Sequence, residues 1–116
     1  MRFEDLDVWS RAKDLSVEIY RQTAKLRDYG FRDQITRSGL SISSNVAEGY
    51  ERQSIRECLN FLSYAKGSCG ELRTQVQIGK EIGYIIEQTA DRWTKEAIEI
   101  SSMLHALMQS RKKFIV

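Results

Sequence analysis

Apolar residues recur at helical spacing in four long runs. The first, about residues 5–27, puts Val8, Ala12, Leu15, Ile19 and Leu26 on one side, with Trp9 and Tyr20 beside them. Phe3 is expected to staple onto Val8, with Glu4, Asp5 and Asp7 near the positive helix start. Asp28-Tyr29-Gly30 is expected to end this helix, with Gly30 taking a positive φ. The third run, about 55–82, carries Cys58, Phe61, Leu62, Ala65, Cys69, Leu72 and Val76. Ser54-Ile55-Arg56-Glu57 reads as its capping box, and Gly83 as its stop. Gly67 and Gly70 lie inside it, which suits close approach of a neighbouring helix or, alternatively, a kink. The fourth run, about 86–112, buries Ala90, Trp93, Ala97, Ile100, Leu104, Leu107 and Met108. It begins at Ile85-Ile86 without a capping side chain, and Arg111, Lys112 and Lys113 complement its negative end.

The second run, about 32–52, differs from the others. Ile35, Gly39, Ile42, Val46 and Tyr50 form an ordinary apolar stripe. Beside it runs a second row of small or weakly polar residues, Thr36, Leu40, Ser43 and Ala47. Arg37, Ser41, Asn45, Glu48 and Arg52 form a third, polar row. One stripe serves one packing surface, so the extra row predicts packing on two sides. Four amphipathic helices with short connections predict an all-α, antiparallel up-down-up-down four-helix bundle, a single domain over residues 1–116.

Composition adds little to this and excludes some classes. Proline is absent, as suits simple helical turns. No apolar run reaches the roughly 18 residues of a membrane span, and the acidic start MRFEDLDVWSR does not resemble a secretory signal. The cytoplasm is therefore the expected compartment. Cys58 and Cys69 read onto one helix at roughly 16 Å separation, beyond disulfide reach, and suit buried free thiols.

The pattern offers little catalytic chemistry. His105 is the one histidine and has no acid at helical spacing, so a half-buried structural imidazole is expected. No glycine-rich phosphate loop and no Glu-x-x-His pair occurs, so neither enzyme nor metal or other cofactor is expected. The net charge is only +2, so the placement of charge matters more than its total. Arg11 has Asp7 and Asp14 at helical spacing, Arg21 has Glu18, Arg92 has Glu96, and Lys95 has Asp91 and Glu99. Lys66, Arg73 and Lys80 have none, and recur every seventh residue as a row of cations about 10.5 Å apart. Arg56 is placed to extend the basic surface. Such a row suits a phosphate backbone; a solvated row, or one neutralised by acids of another helix, fits the spacing equally well. Arg37, Asn45, Glu48 and Glu71 form a second polar set, expected as an inter-helix network rather than a site of catalysis or base readout.

FEDLDVW at the start, DQITRSGLSISSNVAEGYER in the second helix and FLSYAKGSCGELRTQ in the third, followed by GYI, carry a resemblance. The chain resembles the four-helix-bundle family named after proteins encoded in intervening sequences of bacterial 23S rRNA genes, a family that also includes accessory proteins of diversity-generating retroelements. Arg37 matches the arginine after the DQI segment; Asn45, Ala47, Glu48 and Gly49 match its N-x-A-E-G core; Gly67, Ser68 and Glu71 match its G-S-x-x-E core. The resemblance implies a homopentamer around a central channel, with a basic surface and affinity for RNA or DNA. It gives the second-helix row Thr36, Leu40, Ser43 and Ala47 the role of an interface between copies. It also admits another reading, a protein–protein scaffold that serves a reverse transcriptase or a ribonucleoprotein factor. The chain departs from the family in its short first connection, which lacks a proline-containing stretch, in Gly39 where alanine is usual, in Ser43 where proline is frequent, and in Ile86 at a capping position.

Overall fold

A computed structural model describes residues 1–115. A short 3-10 turn at Phe3–Asp5 leads into α1 (Asp7–Thr23), α2 (Tyr29–Glu51), α3 (Ile55–Glu81) and α4 (Glu87–Lys112). The helices form an antiparallel four-helix bundle. Cross-helix partners show the alternation: Arg11 meets Glu96 while Glu18, further along α1, meets Arg92. The 27 residues of α3 span about 40 Å at about 1.5 Å per residue, and the molecule measures 49 × 20 × 20 Å.

The predicted apolar stripes meet in one core. Ile19, Ile35, Ile42, Leu62, Leu72, Trp93, Ile100 and Leu104 are almost fully enclosed. Cys58 and Cys69 are buried free thiols, and burial pushes the Cys69 thiol up to about 11.

The turns depart from expectation in one place and follow it in another. Asp28-Tyr29-Gly30 does not stop α1; it starts α2. The Asp28 carboxylate accepts the Phe31 N–H at 3.1 Å, and Gly30 lies in the first helical turn. Asp28 also accepts the Tyr84 hydroxyl at 2.9 Å, tying the two turns at this end of the bundle together. α1 stops at Thr23, four residues before the expected end. Gly83, after α3, has φ 84°, the one positive φ among the described residues. That left-handed turn directs the Tyr84 and Ile85 N–H groups back to the Gly79 carbonyl. Ser54 caps α3 by accepting the Glu57 N–H at 3.4 Å, while the Glu57 side chain turns to Arg52. At the start of the chain Phe3 packs edge-on against Trp9, with ring centres 5.3 Å apart.

The seams between helices are unequal. α2 against α3 is the most extensive and α1 against α4 the thinnest. A Cβ on Gly49 would sit 3.1 Å from the Cys58 carbonyl oxygen, and one on Gly79 would sit 2.9 Å from the Phe31 ring. A Cβ on Gly39 would sit 3.1 Å from the Ile19 side chain of α1, a third close approach. A Cβ on Gly67 or Gly70 would meet nothing within 4 Å, so neither glycine admits a helix of its own chain, and α3 runs unbroken through both.

Candidate functional site

The second row of α2 divides. Thr36 and Ser43 are buried within the chain itself. Thr36 Oγ1 donates to the Arg32 carbonyl at 2.8 Å, and Ser43 Oγ to the Leu40 carbonyl at 3.3 Å. A hydroxyl satisfied by its own helix can be enclosed at little cost. Leu40 stays 46% exposed and Ala47 is half-buried. Of the four residues expected to meet another copy, Leu40 and Ala47 remain on the surface for it.

The polar set Arg37, Asn45, Glu48 and Glu71 does not close into one network within the chain. Asn45 Nδ2 donates to the Ser41 carbonyl and hydroxyl, each at 2.8 Å. The Ser68 and Ser41 hydroxyls bond at 2.8 Å, linking α3 to α2. Glu48 pairs with Arg52 at 2.6 Å, and Arg52 reaches Glu57 at 3.3 Å while lying over the Phe61 ring. Arg37 and Glu71 are exposed and join no ion pair among the described residues. Ser41, Ser68 and Glu57 were the missed partners. Ser41 stood in the polar row and Ser68 in the G-S-x-x-E core, but their mutual bond spans 27 residues and has no local signature.

The basic row also divides. Lys80 is neutralised from α4: its Nζ lies 3.0 Å from Asp91 and 3.8 Å from Glu87, and these acids hold its pKa above the usual lysine value. Lys66 and Arg73 have no ion pair among the described residues; Lys66 is half-buried and Arg73 exposed. Arg73 lines an open groove of about 480 Å3 with Gly70, Thr74, Gln77, Ile78 and Thr94, between α3 and α4. Arg56 is exposed and unpaired among the described residues, yet at 100° per residue it stands about 80° around the helix from Lys66. It belongs to a neighbouring face.

The paired charges sit elsewhere than local spacing indicated. Arg11 reaches across to Glu96 (Nε–Oε2 2.9 Å) and Glu99 (3.4 Å), not to Asp7 or Asp14. Glu18 pairs with Arg92 of α4, which leaves Arg21 and Glu96 without those expected partners. The Arg92 guanidinium holds the Glu18 carboxyl below the usual carboxylate range. Lys95 makes no ion pair among the described residues. His105 is exposed rather than half-buried. Among the described residues no group of three His, Cys, Asp or Glu side chains is placed to hold a metal ion, and no helix is long and apolar enough to cross a membrane.

The model of the family described as 23S rRNA-intervening sequence protein matches residues 4–106, most of the chain. The chain belongs to that family. A crystal structure of a protein of unknown function from the S23 ribosomal protein family of Bacteroides thetaiotaomicron is similar to it, with a TM-score of 0.81 at 23% identity. The match covers 87% of this chain and 97% of the Bacteroides chain, and at that identity it shows a shared fold. No curated protein matches the chain. The intervening-sequence protein fold thus accounts for residues 4–106, including α1, α2, α3 and most of α4.

Proposed function

We propose that this intervening-sequence protein is a non-enzymatic, self-assembling bundle that binds RNA or DNA through phosphate contacts in the cytoplasm. The supporting observation is the pair Lys66 and Arg73. They are cations one heptad apart on α3 that make no ion pair among the described residues, and Arg73 borders the groove it shares with Gly70, Thr74, Gln77, Ile78 and Thr94. A phosphate backbone supplies the missing charge and gains from released counterions. Arg56 adds a contact on the adjoining face. Lys80 contributes only when a phosphate displaces Asp91 and Glu87. Copies assemble, as a homopentamer, through Leu40 and Ala47 of α2.

Fluorescence anisotropy with RNA across a salt series tests this reading. Affinity should fall linearly with salt on logarithmic axes, with little sequence preference. A folded Lys66→Glu/Arg73→Glu variant should bind at least tenfold more weakly with a shallower slope, and addition of Lys80→Glu should change little more. Unchanged affinity in the folded double variant removes the site.

A scaffold for a protein partner, such as a reverse transcriptase or ribonucleoprotein factor, is the second reading. Exposed Tyr64, Ile78 and Ile98 on α3 and α4 favour it. Retention of one protein partner after nuclease treatment would support it over the first.

A further inference from the structure

The end of the bundle where the α1–α2 and α3–α4 turns meet carries exposed rings and aliphatic side chains, with unpaired cations on the α1–α2 side and the acids Glu81 and Glu87 on the α3–α4 side. Tyr29 is 61% exposed and Ile86 70%, with Ile82 and Tyr84 also exposed. Tyr84 is fixed: its hydroxyl donates to Asp28 at 2.9 Å and its ring packs edge-on against Phe31 at 5.2 Å. Tyr29 is fixed as well. The Arg32 guanidinium lies over its ring at 4.6 Å and also donates to the Ala24 carbonyl at 3.4 Å. With one face under Arg32 and most of the side chain still exposed, the opposite face of Tyr29 is open. Lys25 and Arg27, in the turn just before it, are exposed and make no ion pair among the described residues. Asp33 lies 4.0 Å from Arg32, while Asp28 accepts from the neutral Phe31 N–H and Tyr84 hydroxyl and keeps its charge, so Lys25, Arg27 and Arg32 outnumber the two acids of this turn by one.

We infer that this end of the bundle is a stacking site for an unpaired base of single-stranded nucleic acid, with Tyr29 as the platform and Lys25 and Arg27 on the flanking phosphates. This deepens the nucleic-acid reading and rests on it. A ring already held on one face by a guanidinium loses little freedom when a base covers the other, and any base has a face to offer. Charge decides the partner. The cations around the ring suit a polyanion, and a duplex hides its bases inside the stack, so the occupant is a single strand or a loop. The site is separate from Lys66 and Arg73, which lie along α3, so the two surfaces make different demands of the same ligand.

The test compares a short oligouridylate with an RNA duplex by fluorescence anisotropy on the full chain. Tyr29→Leu should weaken oligouridylate binding by roughly tenfold and leave duplex affinity unchanged. Tyr29→Phe should keep both. Because Tyr29 is exposed, the fold should survive, and circular dichroism checks it. Arg27→Glu, which leaves the ring alone, should also weaken the single strand. Equal oligouridylate affinity in Tyr29→Leu and the wild type overturns the stacking site, as does wild-type binding to duplex alone; either result leaves the phosphate contacts of Lys66 and Arg73 standing. Wild-type protein that binds neither RNA overturns both readings. An acidic peptide that competes equally well with the wild type and Tyr29→Leu assigns the surface to charge alone and overturns the stacking role.

Discussion

The α2–α3 and α1–α4 seams hold the same bundle together by opposite means. α2 and α3 come close because Gly49 leaves room for the Cys58 carbonyl and the Phe61 side chain, and because the small residues Ser41 and Ser68 bond where the helices meet. Close backbones bury core residues well but tolerate no added bulk. α1 and α4 stand further apart in character: long charged side chains cross between them, Arg11 to Glu96 and Glu99, and Glu18 to Arg92. Beside them lies a hollow of about 240 Å3 lined by Arg11, Glu18, Arg92 and Trp93 among others. Half-exposed ion pairs contribute little to stability, on the order of 1 kcal/mol or less each. The tight seam depends on the absence of atoms at particular positions, and the charged seam on pairs that water partly replaces.

The largest expected effect breaks the tight seam. Gly49→Leu should cost about 3 kcal/mol in urea unfolding, because the added side chain is driven into the Cys58 backbone. Wild-type stability in that variant would mean that α2 and α3 can spread without loss. A smaller effect of opposite sign is expected on the exposed side of α3. Gly67→Ala and Gly70→Ala should each stabilise the isolated chain by up to about 1 kcal/mol, since a methyl there meets nothing and the helix gains propensity. A loss in the assembled particle together with a gain in the dissociated chain would place those glycines against another copy. The smallest effect belongs to the charged seam. The Glu18 carboxyl titrates below its usual value because Arg92 binds its charged form. Its contribution is therefore complete above the unfolded carboxylate value of about 4.3 and is lost as pH falls through the lower folded value. Glu18→Gln should lower stability slightly at neutral pH and flatten this part of the acid dependence; an unaltered acid limb would show that the pair adds nothing.

Much of the fold was legible because its signals are local. Apolar spacing marked the four stripes, the Ser54 hydroxyl marked the start of α3, and Gly83 marked its end. Asp28-Tyr29-Gly30 misled because it joins an N-cap side chain to a residue that commonly stops helices, and the cap prevailed. Gly39, Gly49 and Gly79, rather than Gly67 and Gly70, make the close approaches, and only packing distinguishes the two sets. The candidate site was half legible. Intervals of three and four along a helix showed that Lys66, Arg73 and Lys80 lack partners on α3, but Asp91 and Glu87 approach Lys80 from α4, where no such interval reaches. Thr36 and Ser43 looked available to a second copy because their polarity is visible in the sequence, while the carbonyls that satisfy them are backbone.

In the proposed particle α2 joins the copies while α3 presents the charge. Multi-angle light scattering on the purified protein, with absorbance recording any nucleic acid carried along, tests both halves together. The expected result is a particle of five 13.5 kDa chains that carries nucleic acid at low salt and releases it at high salt without dissociating. In Leu40→Asp the mass should fall; in Lys66→Glu/Arg73→Glu the mass should hold while the nucleic acid is lost. A native wild-type monomer free of nucleic acid at every salt concentration would contradict the claim.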